Sequence, residues 1–93
     1  MKSVLIELNH PIGKRVAKKA GIDYCKAKLG HFPDGETYLQ ILCSAKGKKV
    51  FLLADFANNP NDSLIAVLLA SETLWAMKAK KIFLIAPYMV YLR

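Results

Sequence analysis

The segment Phe32-Pro33-Asp34-Gly35-Glu36 places an aromatic ring two residues from one carboxylate and four from another. An exposed aromatic stacks on a nucleobase, and nearby carboxylates accept the exocyclic amino hydrogens of adenine, so these residue types suit a base-recognition loop. The same residues have a plainer reading, in which Asp34-Gly35 is a hairpin turn and Phe32 belongs to the core. A second polar group follows the apolar run ending at Ala54: Asp55, Asn58, Asn59, Asn61 and Asp62. Such side chains can orient phosphates or a hydrated metal, and they are equally natural as helix caps.

Other chemistries are poorly served. The sequence has neither the glycine-lysine pattern of a phosphate-binding P-loop nor the three-glycine dinucleotide fingerprint. Ser3, Ser44, Ser63 and Ser71 have only His10 and His31 to act as bases, and none sits in a nucleophile motif. Cys25 and Cys43 form no C-x-x-C pair and show no metal spacing with the histidines, which favours two reduced structural thiols.

The elements that must position these groups follow from periodicity. Ser3 to Leu8 reads as a strand, and Pro11 presets the first turn of a helix with Ile12, Val16 and Ala20 on its apolar face, stopped by Gly21. Tyr24 to Leu29 reads as a short strand, residues 30–36 as a loop, and Thr37 to Cys43 as a strand with at least one buried face. Val50 to Ala54 is a continuous apolar strand, followed by a helix to about Lys80 with Leu64, Val67, Leu68, Leu74 and Trp75 as its core stripe. Lys81 to Pro87 reads as another buried strand. Runs this apolar, separated by helices, predict an α/β fold with a mainly parallel sheet, flanking helices and a right-handed crossover. In such sheets ligands gather beyond the carboxyl ends of the strands, here after Leu8, Ala54 and Ala86.

Composition agrees with a single globular unit. The chain has 93 residues, of which 54% are hydrophobic and 23% charged, enough for one modest core and no more. No apolar run is long enough for a bilayer, and Glu7 stands where a signal peptide needs its apolar stretch, so the expected location is the cytoplasm. The net charge of +7 attracts polyanions, including nucleic acid, ATP and sugar phosphates. The basic clusters Lys14-Arg15, Lys18-Lys19 and Lys46 to Lys49 carry no interleaved stacking platform, which disfavours nucleic-acid binding.

Three segments together resemble a known family. Gly30-His31-Phe32-Pro33-Asp34-Gly35-Glu36, Asn59-Pro60-Asn61-Asp62 and Pro87-Tyr88-Met89-Val90-Tyr91-Leu92-Arg93 look like consecutive motifs of ribose-phosphate diphosphokinase, also called phosphoribosyl-pyrophosphate synthetase. They occur in family order and at family-like spacing along the whole chain. The resemblance implies a partial phosphoribosyltransferase-like domain, residues 1–93 forming the first part of an N-terminal α/β domain. It implies Mg2+-dependent transfer of the diphosphoryl group of ATP to ribose 5-phosphate in a homo-oligomer. It also implies that Phe32 stacks on adenine, that Asp34 and Glu36 contact its edge, and that Arg93 engages ATP from the neighbouring subunit's side.

The departures are His31, where the family often has Arg, and Val90, where it commonly has Gly. The family's metal-binding His, flexible catalytic loop and ribose-phosphate loop have no counterpart in these residues, so neither a catalytic residue nor a magnesium ligand is expected among them. These residues are expected to hold a base rather than to run the reaction. A non-catalytic regulatory homologue that assembles with active subunits is the alternative reading.

Overall fold

The computed structural model describes residues 2–57 and 59–87. The elements in chain order are β1 (Ser3–Glu7), α1 (Gly13–Ala20), β2 (Asp23–Lys26), β3 (Lys28–His31), β4 (Thr37–Gln40), β5 (Lys49–Leu53), α2 (Pro60–Ala76) and β6 (Lys81–Ile85). Four strands form a parallel sheet in the order β2-β1-β5-β6, and β3 and β4 pair separately as an antiparallel hairpin. The expected mainly parallel α/β class is what the chain adopts. Among the described residues no helix is long and apolar enough to cross a membrane.

Strand pleating divides the core into two layers. Val4, Ile6 and Leu8 of the β1 run, with Val50, Leu52 and Ala54, face α2 and pack against Ala66, Ala70 and Leu74. Leu5 and Leu53 point the other way, toward Ala17, Ile12 and Val16 of the α1 region. Successive side chains on a strand leave opposite faces, so a strand covered on both sides has no polar positions to spare. The buried residues of α1 are Gly13 and Ala17, whereas Ala20 is exposed in the last turn. The helix closes at Gly21 with φ 70°, and the Ile22 amide reaches back to the Ala17 carbonyl.

Four sequence expectations about the strands change. The stretch from Tyr24 to Leu29 is split at Ala27, whose amide donates to the Glu7 carbonyl at 2.9 Å. β2 stays in the parallel sheet while β3 leaves it. Gly30 and His31 belong to β3 rather than to a loop, and β4 ends at Gln40 with no residue fully buried, because it covers only the α2 side of the core. β6 is an edge strand, not a buried one: Phe83 and Leu84 are exposed, although Phe83 stacks on Phe51 of its neighbour with ring centroids 5.1 Å apart.

Helix α2 is the largest correction. Its buried face is Ser63, Ala66, Ala70 and Leu74, while Leu68 is 60% and Trp75 56% exposed, and Leu64 and Ile65 join them outside. An all-round apolar helix gives no periodic signal, and the small alanines let its axis lie close to the sheet, turning the large side chains outward. The helix ends before the expected Lys80. Lys78 adopts φ 68°, and the amides of Lys78 and Ala79 bond back to Trp75 and Leu74.

Glu7 supplies a device that sequence reasoning passed over. It is buried at the end of β1, where Oε1 accepts the Gly13 amide hydrogen at 3.1 Å and so caps the start of α1. The Tyr24 phenol lies beside the same carboxylate. Loss of water around that phenol and the adjacent carboxylate raise its pKa. A Cβ on Gly13 would lie 2.6 Å from Glu7 Oε1 and 3.1 Å from the Tyr24 ring. Gly13→Ala should therefore lower stability by about 1–3 kcal/mol despite alanine's better helix propensity. Urea denaturation checks this, and a variant as stable as wild type would show that the cap relaxes freely.

The outer face of α2 generates a second prediction. Apolar burial returns about 25 cal/mol per Å2, whereas the repulsion of the +7 charge is screened over about 8–10 Å at physiological salt. The isolated 93-residue chain should self-associate through the Leu64, Leu68 and Trp75 stripe, and Leu68→Glu should shift it toward monomer. Light scattering over a dilution series measures both. A strictly monomeric mass at high micromolar concentration would contradict the expectation.

Candidate functional site

The order of the parallel strands creates a crevice. From β1 the chain crosses by α1 to β2 on one side, and from β5 it crosses by α2 to β6 on the other, so the winding reverses between β1 and β5. The carboxyl ends of these two strands diverge at that point, and this is where α/β sheets bind ligands. The residues leaving them are Asn9 and Asp55.

Asn9 locks the crevice. Its Oδ1 accepts the Asp55 amide hydrogen at 2.7 Å and its Nδ2 donates to the Asp55 carbonyl at 3.0 Å, so the side chain continues the strand ladder two residues past Glu7 and Leu53. Nδ2 also lies 3.0 Å from Ser63 Oγ, and the Ser63 hydroxyl donates to the Asp55 carbonyl at 2.8 Å. One amide thus ties the end of β1, the end of β5 and the first turn of α2. Asp55 Oδ1 accepts the Ala57 amide hydrogen, while its other oxygen lies 3.9 Å from His10 Nε2. His10 Nδ1 accepts from the Ile12 amide, which places the ring proton on the side of Asp55.

Beside this lock lies a pocket of about 230 Å3 lined by Asn9, Leu29, His31, Thr37, Asp55, Asn59, Asp62 and Ser63. Asn59 starts α2 with φ 48° and no side-chain cap bond, so the expected capping role is not its part. Pro60 follows at the first helical position. Asp62 meets His31 at 3.4 Å, and that contact joins the outer end of the hairpin to α2. Among the described residues the lining carries two aspartates and no Lys or Arg, which does not make a phosphate cradle. Among the described residues no three His, Cys, Asp or Glu side chains converge as a metal site. Asn58 lies outside the described residues.

The hairpin has two unlike faces. Leu29, His31, Thr37 and Leu39 face inward, lining the pocket or packing on the core. At the tip the Phe32 amide donates to the Glu36 carbonyl at 2.7 Å, the Gly35 amide donates to the Phe32 carbonyl at 2.8 Å, and Gly35 takes φ 93°. Asp34 Oδ1 accepts the Glu36 amide hydrogen at 3.0 Å. The turn reading of Asp34-Gly35 is therefore correct, and the core reading of Phe32 is not: its side chain is 51% exposed. Phe32, Asp34 and Glu36 share one exposed tip.

Comparison with known proteins now bears on this geometry. The family model for the N-terminal domain of ribose phosphate pyrophosphokinase matches residues 1–93. The chain belongs to that family. It is 33% identical over all 93 residues to ribose-phosphate pyrophosphokinase 1 of Lactococcus lactis subsp. lactis, of which it spans 29%. Its fold is that of phosphoribosylpyrophosphate synthetase from Mycobacterium smegmatis, with a TM-score of 0.82 at 22% identity over 97% of this chain and 31% of that one. Purine phosphoribosyltransferase from Pyrococcus horikoshii shares the fold more distantly, with a TM-score of 0.65 at 15% identity over 96% of this chain and 65% of that one. The chain spans less than a third of the length of the curated relatives it matches.

Within the ribose phosphate pyrophosphokinase family frame, two of the three sequence motifs meet in space. The segment Gly30 to Glu36 makes the outer end of the hairpin, and Asn59 to Asp62 opens α2 beneath it, with His31 and Asp62 in contact between them. The third motif begins at Pro87; its residues 88–93, Arg93 among them, lie outside the described residues. Asn9 and Ser63 were missed in the sequence, where only their positions after a strand and before an apolar run marked them.

Asn9→Ala leaves the Asp55 amide without its partner and frees the start of α2. Asn9 is exposed and water can take the place of its amide, so a cost of about 0.5–1.5 kcal/mol is expected, larger than that of Ser63→Ala. Thermal or urea unfolding of the two variants ranks them. An Asn9→Ala protein within 0.5 kcal/mol of wild type would remove the lock from its central place.

Proposed function

We propose that this chain supplies the adenine-binding part of an enzyme that transfers the diphosphoryl group of ATP to the 1-hydroxyl of ribose 5-phosphate, yielding phosphoribosyl pyrophosphate and AMP. One observation carries the reading: a five-residue hairpin tip holds Phe32 half in solvent with Asp34 and Glu36 in the same turn. An aromatic ring held half in solvent on a turn offers a face on which a base can stack. A purine covers the ring, and the carboxylates of Asp34 and Glu36 accept the N6 hydrogens of adenine. Guanine offers a carbonyl oxygen at that position and is repelled, which gives the site a preference for ATP over GTP.

In this reading Arg93 engages ATP from the neighbouring subunit's side within a cytoplasmic homo-oligomer. The phosphoryl transfer itself requires charge neutralisation by Mg2+ and cationic side chains around the phosphates. The described residues offer no set that fits Mg2+, so they hold the base while the transferred group is handled by other parts of the protein.

In the protein expressed from its whole gene, Phe32→Ala should weaken ATP binding by about 1–3 kcal/mol and leave ribose 5-phosphate affinity unchanged. Calorimetric titration of each substrate separates the two. A sharp fall in melting temperature with equal losses for both substrates would give Phe32 a structural role and remove the base-stacking reading.

A further inference from the structure

The outer face of the hairpin carries a second ring. Gly30, Phe32 and Tyr38 lie on this face, because Gly30 is directly opposite Tyr38 in the β3–β4 register and Phe32 is two residues beyond Gly30. The Phe32 and Tyr38 rings are 5.1 Å apart between centroids with an interplanar angle of 47°. Tyr38 reaches this position by crossing the bare backbone of Gly30: a Cβ built there would sit 2.9 Å from three atoms of the phenol, including its hydroxyl. Such a separation is closer than a real Cβ tolerates, so a side chain at residue 30 and the present pose of Tyr38 exclude each other. Gly30 has no positive φ, and the need for glycine here is the ring and not the backbone conformation.

From this juxtaposition we propose that Tyr38 is a positioning residue for Phe32, and that Gly30 is the contact surface that lets it act. The inference rests on the base-stacking reading of Phe32. A half-exposed phenylalanine on a turn samples several rotamers, and a base that stacks on it must first select one. Tyr38 occupies one side of the ring, holds it at a fixed tilt and leaves the opposite side for the ligand. The entropy of ordering Phe32 is then spent during folding rather than during binding, which is the general basis of preorganised affinity. Diagonal pairs across a hairpin are within reach of aromatic side chains, and such pairs have the strength needed for a measurable effect.

The experiment uses the protein expressed from its whole gene, with ATP and inorganic tripolyphosphate as separate probes in calorimetric titrations. Tyr38→Leu retains bulk and β propensity without a ring, Gly30→Ala displaces the ring while keeping Tyr38, and Tyr38→Phe restores the ring without the hydroxyl. Tyr38→Leu and Gly30→Ala are each expected to weaken ATP roughly 3- to 10-fold while leaving tripolyphosphate unchanged, and Tyr38→Phe to bind as wild type. If Tyr38 acts through Phe32, combining Tyr38→Leu with Phe32→Ala binds ATP no more weakly than Phe32→Ala alone. Wild-type ATP affinity in Tyr38→Leu beside a weakened Phe32→Ala would overturn the positioning role and leave base stacking intact. Full additivity in the double variant, or equal losses for ATP and tripolyphosphate, would also overturn it. An unaffected Phe32→Ala would remove the stacking reading, and the role of Tyr38 with it.

Discussion

The Asn9 amide at the fork between β1 and β5 is the contact on which the arrangement of this molecule turns. Beyond the Leu8 amide, which still donates to the Leu53 carbonyl at 2.9 Å, the two strands part, one turning toward α1 and the other toward α2. The Asp55 amide and carbonyl freed at this fork need a partner if the strand ends are to keep a fixed geometry. Asn9 replaces the missing strand neighbour by donating to and accepting from the backbone of Asp55, and it recruits Ser63 from α2. A carboxylate or a hydroxyl cannot do the same, since neither offers an acceptor and two amide donors in one plane. With the fork held, the pocket and the start of α2 have fixed positions, and the hairpin has a surface to lie on.

The hairpin divides its labour by strand parity. Its inward residues contribute apolar contact to the α2 layer and the His31–Asp62 contact, while its outward residues carry rings and its tip the carboxylates. Alternation at period two means that neither set can be moved without moving the other. A one-residue slip would bury Tyr38 and expose Leu39. The exposed Phe32 is therefore held in place by contacts made on the opposite side of the same two strands, a way of presenting an aromatic group that avoids a flexible loop.

Charge and apolar surface are distributed separately. The +7 charge is the excess of 14 Lys and Arg over 7 Asp and Glu, with clusters on α1 and before β5, whereas among the described residues the pocket at the fork is lined by Asp55 and Asp62 and by no Lys or Arg. The field that attracts a polyanion and the pocket nearest the strand ends are thus different regions. The apolar surplus lies on the outer side of α2 and on β6, where Trp75, Leu68, Phe83 and Leu84 are exposed.

The α/β class, the strand order in sequence, the turn at Asp34-Gly35 and the family were legible in the amino-acid sequence, because they depend on local composition, periodicity and the spacing of three motifs. Helix α2 was legible as an element and not in its orientation: with apolar residues on every side, only packing against the sheet could select Ala66 and Ala70 as the inner face. Whether Phe32 was core or surface was likewise undecided until β3 left the parallel sheet at Ala27 and carried the hairpin tip into solvent. The roles of Glu7, Asn9 and Tyr38 depended wholly on tertiary structure. Each acts on residues brought to it by chain crossing or strand pairing: Glu7 on Gly13 and Tyr24, Asn9 on Asp55 and Ser63, Tyr38 on Gly30 and Phe32. A sequence records a side chain's chemistry and its neighbours along the chain, whereas the partners that give it a task are chosen by the fold.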